Sequence, residues 1–339
     1  TPHPTPHVPI PHIPPCNALP TPHNSRYSSV MSNEKGRPVI VGIGEILWDL
    51  LPAGKQLGGA PANFAYHAAA LGAAGTVVSR VGNGDSGQAI LAKLDSLGLD
   101  RRLVSVDPAH PTGTVEVRLG PGGVPEYDIH DGVAWDFLDF TPELSELASR
   151  ADAVCFGTLG QRGPASRRAI GKFLAALRPQ CLRVFDINLR QNYYDRALVH
   201  EMLMQSDVLK LNDAELPVVG GMFGILGQQS EAVRNLMSRY PLKLVALTHG
   251  PAGARLQGIG ESSTHRGFPA AVSETADTVG AGDAFTAALV VGLLRGLPLQ
   301  QINAIANRLA SYVCSQHGAT PPIPAEFREM FREKDDVDG

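Results

Sequence analysis

The chain has 339 residues, 43% of them hydrophobic and 18% charged, with a formal net charge of −4. That balance fits a globular protein with a sizeable core and gives no reason to expect a nucleic-acid or membrane-surface partner. No apolar run reaches the ~20 residues of a membrane span, and the four cysteines show no C-x-x-C spacing, so a zinc site and a disulfide framework are not expected and a cytoplasmic location is.

Residues 1–36 open with a Pro- and His-rich stretch, Thr1 to Pro15, that cannot form a packed core and is expected to be disordered. No basic segment followed by an apolar one marks a signal peptide, and Met31 looks like a natural start. Residues 37–330 are read as one domain and 331–339 as a charged tail. Val39 to Ile43 is an apolar run of strand length. The Ala-rich stretch from Gly58 to Gly72 predicts a helix with Pro61 near its start and a glycine at its end. Thr76 to Val81 predicts a strand and Gln88 to Leu97 a helix. The same rhythm returns in strands at Ala153–Phe156, Leu182–Ile187, Val208–Leu211 and Leu244–Thr248. Helices are predicted between them at Ser166–Leu177, Leu198–Gln205 and Glu231–Arg239, and after them at Phe285–Leu294 and Leu299–Cys314. Alternation of this kind predicts a doubly wound, mostly parallel sheet with helices on both faces.

The rhythm breaks near 111–130. Thr112 to Leu119 alternates, Gly120-Pro-Gly-Gly123 turns, and Val124 to Ile129 is extended again. A hairpin with one apolar face, Val115, Val117 and Leu119, is expected to project as a small β lid. That face must bury against the domain or against a second subunit, so a homodimer through the lid is one expectation.

Several motifs carry chemistry. Walker A is absent. Gly82-Asn-Gly-Asp-Ser-Gly87 satisfies G-x-G-x-x-G between a strand and a helix, the pattern of a NAD-dependent oxidoreductase, but Asp85 would face the pyrophosphate. Gly58-Gly59 lets a ligand approach backbone, and Asn63 offers a donor and an acceptor to a hydroxyl. Asp49 falls in the crevice beyond the first strand. Asp186-Ile-Asn188-Leu-Arg190 concentrates polar groups at a strand end. Asn212-x-x-Glu215 reads equally as a capping arrangement or as a place for a hydrated cation. In Asp277-Thr-Val-Gly-Ala-Gly-Asp-Ala-Phe285 a glycine-rich turn feeds a buried helix, whose free N–H groups suit an anion. Asp283 there is either a simple helix cap or a base acting beside a phosphoryl group.

This last stretch resembles the C-terminal signature of the ribokinase-like (PfkB) carbohydrate kinases. The upstream motifs follow in the family's order, and the resemblance spans about residues 38 to 325. It implies ATP-dependent phosphorylation of a sugar hydroxyl. Fructokinases, which make fructose 6-phosphate, are the nearest type, through Gly44-Glu45-Ile-Leu-Trp-Asp49 and Gly58-Gly-Ala-Pro-Ala-Asn63. By resemblance Asp283 is the base and the backbone of Gly280, Ala281 and Gly282 the anion hole. Asp49, Gly59, Asn63, Asn188 and Arg190 then belong to the sugar site, and Asn212, Thr248, Gly250, Gly253 and Asn307 to the nucleotide. Glu215 is implied to order Mg²⁺ through water, and Asp277, Val279 and the backbone near Gly318 to hold a monovalent cation such as K⁺. Within the family, ribose, 2-keto-3-deoxygluconate and a nucleoside remain alternative substrates. Gln191-Asn-Tyr-Tyr-Asp195 departs from the Leu-Trp common in fructokinases, so Trp135 and Phe137 are expected to shape the sugar pocket instead.

Overall fold

The computed structural model describes residues 36–51, 54–119, 125–268 and 278–331. The expected N-terminal extension, the Gly120–Gly123 tip, the side chains of Val117 and Leu119, Asp277 and the tail from 332 onward lie outside the described residues.

The chain begins with β1 (Val39–Ile43), β2 (Leu47–Leu51), β3 (Gly54–Gly58), α1 (Ala60–Ala70), β4 (Ala74–Gly82) and α2 (Asp85–Ser96). Then come β5 (Val104–Asp107), β6 (Gly113–Leu119), β7 (Pro125–Ile129), α3 (Pro142–Arg150), β8 (Ala153–Phe156) and α4 (Pro164–Ala176). The middle adds β9 (Leu182–Asp186), α5 (Arg196–Met204), β10 (Val208–Asn212), α6 (Glu215–Phe223), α7 (Gln229–Arg239) and β11 (Leu244–Thr248). The chain closes with β12 (Ala254–Gly258), β13 (Ser262–His265), α8 (Ala281–Leu294), α9 (Leu299–Cys314) and α10 (Ala325–Glu329).

The main sheet runs β13-β12-β11-β10-β9-β8-β1-β4-β5, parallel from β11 to β5 and antiparallel at β12 and β13. Its central strands are buried on both faces, which is why they read as unbroken apolar runs. Helices α3 to α7 bury their apolar stripes on one face. Helices α1, α8 and α9 cover the other. Every residue of α8 from Ala284 to Leu294 is buried, so the body of this helix has no solvent face and packing holds it in place behind a partly open first turn. No described helix is long and apolar enough to cross a membrane.

The lid differs from the expected hairpin. It is a separate sheet ordered β3-β2-β6-β7, with β6 parallel to β2 and antiparallel to β7. Two of its four strands, β2 and β3, come from the stretch after the first strand, where no strand is predicted. Asp49 therefore sits on a lid strand, paired opposite Gln56. Val115 buries with Leu47, Ile129, Val133, Trp135 and Leu159 of the same chain.

Candidate active site

The site lies where β1, β8 and β9 end beside the head of α8. Helix α1 packs alongside α8, and this brings Asn63 to Asp283: the Asn63 Nδ2 donates to Asp283 Oδ2 at 2.9 Å. A narrow cavity here is lined by Glu45, Pro61, Phe64, Asp186, Asn188 and Asp283, together with Thr158 and Leu159. A wider cleft, about 480 Å³, lies around Phe137, Arg162 and Tyr193. Its buried acid, Asp136, is already paired with Arg162 at 2.8 Å, so we place the chemistry in the narrower cavity.

The glycines of the two motifs have packing reasons. Gly280 caps α8 in the left-handed conformation, φ 79°, against the Ala319 carbonyl, where a Cβ would come within 2.6 Å. A Cβ at Gly282 would crowd the Lys210 Nζ at 3.1 Å, and one at Gly58 would strike the Asp49 carboxylate. Gly59, at φ 111°, presses on the Glu45 carbonyl. The glycines at 58 and 282 thus bring one carboxylate, Asp49, and one ammonium group, Lys210, close to backbone.

Electrostatics set these acids apart. Burial pushes the Asp283 carboxyl up to about 7, with Asp186 adding to the rise and the Asn63 hydrogen bond, Lys210 and Arg190 opposing it. Burial likewise lifts Glu45 to about 7 and Asp49 to about 6, against the charge of Arg190 in both cases. Lys210, on β10, donates to Asp186 Oδ1 at 3.0 Å. Burial works against its charge, but Asp186, Glu215 and Asp283 together hold its pKa above the usual value. Thr286 joins the network, donating to Asp186 Oδ2 at 2.9 Å. Lys210, Asp186, Thr286 and Glu45 were not singled out from sequence. Only the strand-end position of Asp186 and the Gly44-Glu45 pair were signals for any of them, because a lysine inside a strand and a threonine inside a helix look ordinary.

Asn188 lines the cavity at φ 40°, a left-handed conformation that asparagine tolerates better than most residues. Arg190 stands exposed at the rim, bonded to the Leu189 carbonyl, and acts on the acids through its charge. Asn212 and Glu215 form a reciprocal cap. The Asn212 Oδ1 accepts from the backbone N–H of Ala214 and Glu215, while Glu215 accepts from Asn212 and Leu189. Both Glu215 oxygens are thus engaged, and among the described residues no group of three His, Cys, Asp or Glu side chains could hold a metal. The donor set fits a hydrated Mg²⁺ shared with phosphates rather than a protein cage.

Thr248 ends β11, and Gly250 begins the short turn to Gly253, where a Cβ would meet the His265 carbonyl. Asn307, expected at the nucleotide, is buried on α9. Both bonds of its Nδ2 go to Asn303, which in turn holds Ala254 and Ser263, so this amide ladder ties α9 to the sheet. Val279 is described at the turn before α8, but its expected partner Asp277 is not among the described residues. Trp135 is buried beneath the Arg162 guanidinium, 4.0 Å away, and Phe137 stacks on His110. Trp135 is therefore core rather than the wall of the sugar pocket that its sequence position suggests.

The turn at Gly82–Gly87 is accounted for without a dinucleotide. A Cβ at Gly87 would overlap the Gly82 carbonyl, and Thr112 Oγ1 accepts from the Gly82 N–H. Gly82 and Gly87 pack the turn against the segment leading into the lid, whereas Gly84 faces open space.

A doubly wound sheet with a small separate lid, and a carboxylate in a glycine turn heading a buried helix, mark the ribokinase-like class of phosphotransferases. The chain belongs to the pfkB family of carbohydrate kinases, whose model matches residues 53–326. It is 30% identical over 300 residues to a protein of Pyrococcus horikoshii named "Putative sugar kinase PH1459", covering 83% of this chain and 91% of that one. It is 27% identical over 317 residues to Fructokinase-1 of Zea mays, covering 86% and 96%. The crystal structure of PH1459 in complex with ATP matches with a TM-score of 0.71 at 28% identity, covering 86% of this chain and 100% of that one. The chain is thus an ATP-dependent carbohydrate kinase, and the oxidoreductase reading is set aside.

Proposed function

We propose that the substrate is a neutral sugar, with fructose first and fructose 6-phosphate as the product. Asp283 carries this reading. Its carboxyl lies in a cavity at the head of a helix, oriented by Asn63 and raised to about 7. A base with that pKa can take a hydroxyl proton near neutral pH. The backbone N–H groups at Gly280 to Asp283 face the charge that grows as phosphoryl transfers. Lys210 and Arg190 add positive charge around the same point. Asp49, on the lid, meets the sugar from above and Asn188 from the strand end. Thr248, Gly250 and Gly253 lie on the side assigned to the nucleotide. Mg²⁺, held through water near Glu215 and by the ATP phosphates, would neutralise phosphate charge when bound. The fructokinase relatives support fructose within the family.

A panel of fructose, ribose, 2-keto-3-deoxygluconate and nucleosides, each with ATP and Mg²⁺, tests the assignment through ADP release and product NMR. Fructose with the highest kcat/KM supports it. Clear preference for another member of the panel overturns it.

A further inference from the structure

Glu45 is more deeply enclosed than any role assigned so far requires. It is 3% exposed, lies between β1 and the first lid strand, and lines the same narrow cavity as Asp283. Backbone N–H groups of Glu45 itself and of Ala60 hold its carboxyl, yet Oε2 is buried with no hydrogen-bond partner. A buried polar atom left unpaired is costly, so one that persists in a cavity needs a reason. The neighbourhood is built around it. A Cβ at Gly160 would approach Glu45 Oε2 to 3.1 Å, and one at Gly59 would approach the Glu45 carbonyl to 2.6 Å. The missing side chain at Gly160 thus leaves room beside the carboxyl, and the one at Gly59 lets the chain close on the Glu45 backbone. Asn63 shows the same signature, its Oδ1 also buried without a partner while its Nδ2 holds Asp283. Two orphaned oxygens beside one base suit a ligand rich in hydroxyl groups.

We propose that Glu45 is a sugar-contacting residue, its Oε2 hydrogen-bonding a sugar oxygen beside the hydroxyl that faces Asp283. The proposal rests on the reading of this cavity as the sugar site. Burial lifts the carboxyl to about 7. Near neutral pH it can therefore accept from a hydroxyl as carboxylate or donate to a ring oxygen as acid. The remaining acids and cations around it are Asp283 on α8, Asp186 and Arg190 at the end of β9, Lys210 on β10 and Asp49 on the lid. With Lys210 paired to Asp186, the cavity carries little net positive charge to draw in an anion, and an uncharged end of the sugar suits it.

The test is a split of Michaelis constants in the full chain, using fructose and ATP with Mg²⁺. Glu45→Ala should raise the fructose KM on the order of 10- to 100-fold, the loss expected for a buried hydrogen bond, and leave the ATP KM within about twofold. Glu45→Gln keeps the shape and one acceptor, and should recover part of that loss. An unchanged fructose KM in both variants overturns the proposal, as does an equal rise in both KM values, which would mark a structural role. Should Glu45→Ala fail to fold, Glu45→Gln decides alone: a fructose KM within twofold of the parent overturns the contact. Asp283→Asn, run beside them, separates the two readings. Full turnover in that variant overturns the site itself, whereas an unmoved KM in the Glu45 variants overturns only the contact.

Discussion

Asn63 on α1 donates to Asp283 at the head of α8 at 2.9 Å, across 220 positions of sequence. The bond fixes one carboxylate oxygen of a residue that lines the cavity, an arrangement that suits a base needing orientation. It also ties the glycine-rich start of α1 to the glycine-rich start of α8, the two motifs by which sugar and phosphate would meet.

Replacement of Asp283 by Asn is expected to keep the fold and binding but remove the proton acceptor. The rate should fall ~10²–10⁴-fold, the usual cost of a lost general base. Calorimetry should find ATP and fructose still binding. Turnover close to that of the parent would show that proton transfer goes elsewhere.

The acid limb of the pH–rate profile should follow the same carboxyl. With Asp283 raised to about 7, kcat/KM is expected to fall about tenfold per pH unit below that point, because only the carboxylate can accept the proton. A profile flat down to pH 5 would assign the base a pKa in the ordinary range for Asp.

Stability should move with the opposite sign. The folded chain holds a proton on Asp283 between the ordinary pKa of 3.8 and about 7, while the unfolded chain has lost it. Stability therefore declines as pH rises through that window and stays at the lower value above it. Asp283→Asn should raise Tm more at pH 8 than at pH 4, as read by thermal melting at the two pH values. An equal shift at both would contradict the raised pKa.

Lys210 and Asp186 form a buried pair at 3.0 Å. Lys210→Met leaves the Asp186 charge uncompensated and should destabilise the fold by about 3–5 kcal/mol in urea titration. Adding Asp186→Asn should restore part of it. A single variant as stable as the parent would mean water already screens the pair.

The lid carries the remaining expectation. Strand β6 sits between β2 and β7, so removing residues 113–128 takes support from the strand that presents Asp49. The deletion should raise the fructose KM and increase ATP hydrolysis without transfer, since water competes for the γ-phosphate in an open site. Unchanged KM and unchanged coupling would show that the small sheet does not cover the site. Comparing sugar phosphate formed with ADP released measures both.

Local chemistry made much of the fold legible in the sequence. Runs such as Val39–Ile43 and Leu244–Thr248 admit only buried strands, and the helix after Asp283 is apolar on every side. The phosphate turn was legible for the same reason, since a glycine-rich turn before a buried helix is written in consecutive residues. Asp49, by contrast, reads as a loop acid near the first strand, and only the pairing of β2 with β3 and β6 puts it on the lid. Trp135 reads as a pocket aromatic because sequence does not reveal that Arg162 covers it. Glu45, Asp186, Lys210 and Thr286 acquire their meaning from contacts between distant elements. Their burial and pairing, and the raised pKa of Glu45, arise from what the fold packs around them, and a carboxylate's proton affinity depends on that enclosure rather than on its neighbours in the chain.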